Sequence, residues 1–155
     1  MRIDSHQHFW NYDSERFEWI TADMAQLRRS FLPEDLYPIL QASQIDGCIA
    51  VQAEEQVRET EFLLELSEDH PWILGVVGWA ELAQDNLDEI LDQWSNYSKL
   101  LGFREVLQSN EPEYMLRKEF IRGIHKLGQR GYTYDLLTYP NQLPAALQLV
   151  DACPN

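Results

Sequence analysis

Cysteine and long apolar runs are both scarce in this sequence. Its 155 residues contain two cysteines, Cys48 and Cys153, and two cysteines without a ligand-type spacing make neither a disulfide framework nor a zinc site. No apolar run approaches the roughly 20 residues that a membrane helix needs. Polar residues also interrupt the N-terminus where a signal peptide would lie. We therefore expect a cytoplasmic protein with reduced thiols and no membrane partner.

Positive charge is scarce as well. Lysine and arginine number 12 against 26 aspartates and glutamates, which gives a formal net charge of -14. A protein that binds the phosphate backbone of nucleic acid carries a basic surface patch. The acidic balance therefore excludes a nucleic-acid partner and predicts a solvated acidic outer surface.

Two glycine-dependent motifs are missing. No glycine-rich phosphate loop follows the first predicted strand, which is instead followed by residues 9–11, FWN; this disfavours a nucleotide-binding open sheet. No Gly-x-Ser-x-Gly elbow occurs, so a serine hydrolase of the α/β type is not supported. A hydrophobic fraction of 45% with 12% aromatic residues is nevertheless enough for a packed core.

Strand-like and helix-like segments alternate five times along the chain. The predicted strands are residues 2–8, 48–52, 72–79, 100–107 and 132–137, and the predicted helices are 32–43, 56–70, 85–94, 113–130 and 141–152. This order predicts one α/β domain over 1–155 with a parallel sheet. Two architectures remain: an open doubly wound sheet, or about five units of a (β/α)8 barrel, which needs about 250 residues when complete. The long connector 11–30 is expected to be functional.

Two histidines one residue apart, His6 and His8, stand at the end of the first strand. Strand side chains alternate, so both imidazoles share one face. Such a pair binds a divalent metal or polarises a carbonyl group. The alternative is a pair of hydrogen-bonded core histidines.

Polar and aromatic residues also follow the other four strands, where sites gather in parallel α/β folds. We expect Arg104 to face a substrate carboxylate or carbonyl oxygen; the alternative is a structural ion pair with Asp135 or Glu105. Trp79 either stacks on substrate or packs in the core. The candidate substrate-binding residues are Gln52, Glu54, Trp79, Gln108 and Asp135.

An ordered series of segments resembles the amidohydrolase-related (amidohydrolase 2) group of the amidohydrolase superfamily, which includes sugar-acid lactonases and pyrone dicarboxylate lactonases. The segments are residues 2–10, 27–36, 51–54, 75–79, 101–108 and 134–137. The resemblance implies a TIM-type (β/α)8 barrel and the hydrolysis of a cyclic ester by activated water, in carbohydrate metabolism. It implies catalytic roles for His6, His8 and Arg104. Both histidines are also the implied ligands of one divalent metal, zinc or similar, although a metal-free mechanism stays open.

The resemblance also implies that part of the site lies elsewhere. Members of the group continue through three more strands, which carry a further histidine and a late aspartate as general base. We therefore expect the 155 residues alone to be inactive. Unpaired sheet edges predict a homo-oligomer. Two alternatives to a lactonase remain: a non-enzymatic binding or interaction module, and a decarboxylase or hydratase of the same superfamily.

Overall fold

The computed structural model describes residues 1–154 and contains one five-stranded sheet. All neighbouring strands are parallel, and they follow one another in chain order. A doubly wound sheet reverses its strand order part-way, so the sequential order selects the barrel alternative. The strands are β1 (Ile3–Gln7), β2 (Gly47–Val51), β3 (Ile73–Gly78), β4 (Leu100–Glu105) and β5 (Thr133–Leu136).

A helix follows each strand, which gives five consecutive βα units of a TIM-type barrel and confirms the predicted fold class. The helices are α1 (Pro33–Ala42), α2 (Val57–Asp69), α3 (Leu87–Gln93), α4 (Lys118–Gln129) and α5 (Leu143–Ala152). Pro33 occupies the first turn of α1, where its missing N–H costs nothing. No helix in residues 1–154 is long and apolar enough to cross a membrane.

The predicted fourth helix, 113–130, is wrong at its start. Pro112–Leu116 forms a separate 3-10 helix, and Arg117 is extended (φ -66°, ψ 141°) before α4 begins at Lys118. The side chains of Tyr114 and Met115 pack against the core from this 3-10 segment, so apolar content alone does not mark where α4 begins. Gly131, with φ +80°, follows the C-terminus of α4 as predicted.

The main core lies between the sheet and its helices. On β4, Phe103 faces this layer, where its ring stacks on Trp94 at 5.9 Å and meets Tyr132 edge to face at 5.3 Å. Because side chains alternate along a strand, Arg104 faces the opposite, inner side of the sheet. The fold therefore separates a packed outer layer from an inner face that carries the polar strand ends.

The connector between β1 and α1 is an ordered loop with a closed base. An antiparallel bridge joins Trp10 to Phe31, with both N···O distances at 3.0 Å. Phe17 and Ile20 are buried within the loop, at 1% and 2% exposure. Neither belongs to the main core cluster, so the loop has a small apolar cluster of its own.

Candidate active site

Arg104 is the centre of the polar inner face. It stands near the end of β4, is only 6% exposed, and donates from Nη2 to the Gln52 carbonyl oxygen at 2.5 Å and to Gln52 Oε1 at 2.8 Å. Its Nη1 donates to His6 Nε2 at 3.1 Å. The Nε–H is buried without a partner. The guanidinium is therefore held by neutral groups, and three of its five N–H donors are engaged.

No carboxylate of residues 1–154 forms an ion pair with Arg104, so the ion-pair alternative raised from the sequence is wrong. Glu105 points to the other side of the sheet and accepts from Leu82 N and the Tyr114 hydroxyl. Asp135 is the register neighbour of Arg104 on β5 and shares its face. Burial lowers the pKa of Arg104 from its ordinary value, while the charges of Asp135 and Glu55 act to raise it. An arginine remains protonated under such a shift.

The partners of the two histidines define their tautomers. The Val51 carbonyl oxygen can only accept, so His8 Nδ1, at 2.8 Å from it, carries the proton and Nε2 presents a lone pair. Guanidinium can only donate, so His6 Nε2 is the acceptor of its bond from Arg104. Burial is the largest cause that lowers the pKa of His8, and the charge of Arg104 adds to it. His8 is therefore a neutral acceptor at neutral pH.

A cavity of about 790 Å³ opens over this constellation. His6, His8, Gln52, Glu54 and Arg104, five of the predicted site residues, lie in its wall. The two imidazole rings stand nearly perpendicular, with centroids 5.0 Å apart. The structure thus brings residues from the ends of β1, β2 and β4 to one cavity, and their predicted roles stay predictions.

The three other predicted residues do not line the cavity. Trp79 uses its backbone N–H and C=O to bond the Thr60 hydroxyl of α2, at 2.7 and 2.9 Å. Gln108 belongs to a short 3-10 turn after β4, from which Ser109 reaches the cavity instead. Asp135 acts on the site through its charge near Arg104. Their assignment as substrate-binding residues stays a prediction.

The apolar and aromatic part of the cavity wall was not predicted, because it does not come from the strand ends. Trp10, Arg16, Trp19 and Leu27 all come from the β1–α1 loop and line the cavity. The unusual length of the connector was the signal, and its predicted functional role is consistent with this placement. Which loop residues reach the cavity depends on loop folding, which has no simple sequence period.

The donor set present here does not make a complete metal site. Catalytic zinc is held by three protein ligands, and residues 1–154 contain no cluster of three His, Cys, Asp or Glu side chains. His6 Nε2 already accepts from Arg104. A metal ion at that nitrogen would have to displace the guanidinium and lie beside its positive charge. The two histidines alone therefore do not fit the metal that the family resemblance implied.

Comparison with known proteins finds relatives that match over most of this chain. The chain is 42% identical over 146 residues to an L-fucono-1,5-lactonase of Burkholderia multivorans; the match covers 93% of the chain and 49% of the lactonase. An amidohydrolase of Burkholderia multivorans, crystallised with bound zinc, matches with a TM-score of 0.93 and 40% identity over 97% of this chain and 54% of that one. The chain is homologous to these two proteins over about half of the length of each.

The homology confirms the family resemblance seen in the sequence, and it covers only part of the length of each relative. The chain spans about half the length of the lactonase and amidohydrolase it matches. A probable 2-pyrone-4,6-dicarboxylic acid hydrolase of Acinetobacter baumannii shares the fold, with a TM-score of 0.76 at 14% identity over 97% of this chain and 54% of that one. No protein-family model matches the chain.

Proposed function

We propose that the protein carrying this amidohydrolase-like chain hydrolyses a lactone of a sugar acid, with Arg104 stabilising negative charge on the carbonyl oxygen. The observation that carries this proposal is the nearly buried guanidinium in the cavity wall, whose hydrogen-bond partners are all neutral. Ester hydrolysis builds negative charge on that oxygen in the transition state, and a preorganised buried donor stabilises it strongly. The homologous lactonase supports a lactone as the substrate class.

We assign the acceptor role to His8. Its neutral ring presents an unprotonated Nε2, because Nδ1–H is held by the Val51 carbonyl oxygen. An unprotonated nitrogen accepts a hydrogen bond from water and cannot donate one to a carbonyl. His8 therefore orients the attacking water, while polarisation of the carbonyl falls to Arg104 and not to the histidines.

His6 and Gln52 act through Arg104 in this proposal. Gln52 is fully buried and receives Nη2 on two oxygens, which fixes the plane of the guanidinium. His6 receives Nη1. The guanidinium is then held in one orientation in the cavity wall without a search over rotamers, which is the condition for efficient electrostatic stabilisation.

The proposed reaction does not need a metal at His6. Arg104 already supplies a cation to the nitrogen that a metal would use, and a second positive charge within about 4 Å would cost roughly 1–4 kcal/mol at the dielectric of water or of a protein surface. Zinc bound by the related amidohydrolase would require further ligands here, supplied from outside the described residues.

Activity requires more than these five units. The chain spans about half of its relatives, and the family resemblance assigns the general base to a later strand. We therefore expect no lactone hydrolysis by the chain alone. A sugar-acid lactone would place the reaction in carbohydrate metabolism, with a small molecule as the substrate. We also propose a cytoplasmic location and no nucleic-acid or membrane partner, as the sequence predicts.

The test is an assay of the protein that carries this chain against a panel of sugar-acid lactones, with and without chelator. We expect ring opening that survives chelation, and a loss of about 100-fold or more in kcat for Arg104→Met, since it removes a preorganised donor. Arg122→Met, an equal change on the outer face of α4, is the control and should keep full activity. Absence of lactone hydrolysis, or an Arg104→Met variant as active as the parent, would contradict the proposal.

A further inference from the structure

The β1–α1 loop (residues 8–32) supplies much of the apolar wall of the cavity, through Trp10, Trp19 and Leu27. Its own buried cluster is small, with Phe17 and Ile20 as the fully buried members. Ordering such a long segment costs conformational entropy that two buried side chains do not offset. Contacts between the loop and the barrel must therefore hold it in place.

One ion pair joins the middle of this loop to the barrel. Arg16 Nε donates to both carboxylate oxygens of Glu54, at 3.0 and 3.1 Å, and its Nη2 donates to Oε2 as well. Glu54 follows β2, and its side chain is 8% exposed. A multidentate arginine–carboxylate contact with a buried partner is both strong and specific in geometry.

Both ends of this ion pair are braced. On the loop side, the Asp13 carboxylate accepts from the backbone N–H groups of Glu15 and Arg16, at 2.8 and 3.2 Å, and so fixes the turn that presents Arg16. On the barrel side, Arg58 Nη2 donates to Glu54 Oε1 at 3.0 Å. Burial acts to raise the pKa of Glu54, but the two arginines outweigh it and the pKa is lowered.

We infer that the Arg16–Glu54 ion pair is a latch that holds the β1–α1 loop over the histidine–arginine site, and that both residues are positioning residues for the cavity wall. The inference assigns Glu54 a different role from the substrate contact expected from the sequence. All of its oxygens are engaged by arginines, so none is left to bind substrate while the latch is closed.

Arg58 offers a matched control. It pairs with the same carboxylate but belongs to α2, immediately after the segment that carries Glu54. Removing Arg58 takes one cation from Glu54 without cutting the connection to the loop. Removing Arg16 takes one cation and cuts the connection. The two variants therefore separate the charge balance of Glu54 from the link across the cavity.

The experiment is hydrogen exchange of the 155-residue chain and its Arg16→Gln, Glu54→Gln and Arg58→Gln variants. The backbone amides of Phe17, Ile20 and Met24 bond within the loop and report its order. We expect their exchange to rise by about tenfold or more in Arg16→Gln and Glu54→Gln, as the loss of charge-assisted hydrogen bonds predicts. Loop exchange in Arg58→Gln should rise far less than in Arg16→Gln, because the link between loop and barrel stays in place, and amides of β2 and β3 should be unchanged in all variants.

Two results would overturn the latch. One is unchanged loop exchange in Arg16→Gln; the other is an Arg58→Gln variant whose loop opens as much as that of Arg16→Gln. If Glu54→Gln also speeds exchange of the strand amides, the test rests on Arg16→Gln alone. The Arg16 side chain is 29% exposed, so its replacement does not leave a cavity in the core. Arg16→Lys keeps the charge without the fork and should give intermediate exchange.

A functional readout rests on the proposed lactonase activity and is kept separate. In the protein carrying this chain, Arg16→Gln should raise KM for the lactone while kcat stays close to that of the parent, since the loop wall binds substrate without touching the reacting carbonyl. A fall in kcat that is larger, as a fold-change, than the rise in KM would contradict the positioning role. Absence of any lactonase activity would refute the proposed function and leave the exchange result standing.

Discussion

Glu105 and Arg104 are neighbours on β4 that point to opposite sides of the sheet, and burial shifts the pKa of both. Glu105 is 5% exposed and accepts from Leu82 N at 3.0 Å and from the Tyr114 hydroxyl at 3.1 Å. Burial is the largest cause that raises the pKa of Glu105 to about 7, and the charges of Glu55 and Glu81 add to it. Burial and the neighbouring negative charges therefore favour the protonated carboxyl in the fold, while the two hydrogen bonds that Glu105 accepts oppose this shift.

The pKa of Glu105 predicts a stability that falls with pH. In the unfolded chain the group titrates near 4.5, so between that pH and about 7 the folded state binds more protons, and the free energy of unfolding decreases as pH rises. Glu105→Gln keeps the acceptor for Leu82 and presents an amide donor to Tyr114. We expect the free energy of unfolding of Glu105→Gln to exceed that of the parent by an amount that grows across this window, up to about 3 kcal/mol at neutral pH. Urea unfolding from pH 4.5 to 8 measures this difference.

Glu113→Gln is the matched control for this titration. Glu113 is exposed and lies next to Tyr114 on the same 3-10 segment, so its replacement should leave the pH dependence of the parent unchanged. A Glu105→Gln variant whose stability runs parallel to that of the parent from pH 4.5 to 8 would refute the assignment.

At the residue scale, the sequence alone could predict which face of the sheet the site residues share. It could predict their hydrogen-bond partners only in part. Alternation along β1 correctly groups His6 with His8, and the strand-end rule brings Gln52 and Arg104 into the same cavity. The hydrogen bond from Arg104 to His6 joins residues 98 positions apart. Its existence depends on the curl of the sheet, for which the sequence carries no local pattern.

At the scale of elements, the position of α4 depends on a close contact between Gly123 and the Leu82 backbone. This contact requires glycine although glycine has a low helix propensity. A Cβ on Gly123 would lie 2.3 Å from the Leu82 carbonyl oxygen, a backbone atom before α3. The helix therefore contacts the β3–α3 loop without a side chain between them. Alanine favours a helix over glycine by about 1 kcal/mol, yet overpacking of this kind costs about 1–3 kcal/mol.

We predict that Gly123→Ala destabilises the chain by about 1 kcal/mol or more, because the backbone at Leu82 cannot move away freely. Gly128→Ala, an exposed position on the same helix, should instead stabilise by up to about 1 kcal/mol. Thermal and urea unfolding of both variants measure the difference. Equal effects of the two substitutions would show that the packing at Leu82 is not limiting.

The elements also show where sequence patterns stop being informative. Period and turn signals locate all five strands and, apart from the start of α4, all five helices to within about two residues, because buried strands and amphipathic helices differ in their spacing of apolar residues. The start of α4 differs because Pro112–Leu116 forms a separate 3-10 helix, which the apolar spacing further along the helix does not reveal. The β1–α1 loop was recognised only by its length, because its contacts with Glu54 span 38 positions.

At the scale of the whole molecule, the sheet has two terminal strands, β1 and β5, and each is paired on one side only. Beside β5, helix α5 buries Ala145, Ala146 and Leu149 and exposes an adjacent apolar stripe. The stripe consists of Leu143, Leu147 and Val150, which are 52%, 68% and 51% exposed. An unpaired parallel edge next to exposed apolar side chains favours association with another polypeptide.

We propose that the 155-residue chain on its own associates through this β5–α5 end into a dimer or higher oligomer. Sedimentation velocity at rising protein concentration should show a shift to larger species, and Leu147→Glu should move the equilibrium toward monomer by placing a charge in the contact. Ile39→Glu is the matched control, since Ile39 is 60% exposed on α1 beside the other end of the sheet. If the stripe is the contact, Ile39→Glu leaves the association unchanged. A monodisperse monomer at every concentration, or dissociation caused by Ile39→Glu and not by Leu147→Glu, would refute the assignment of the contact to α5.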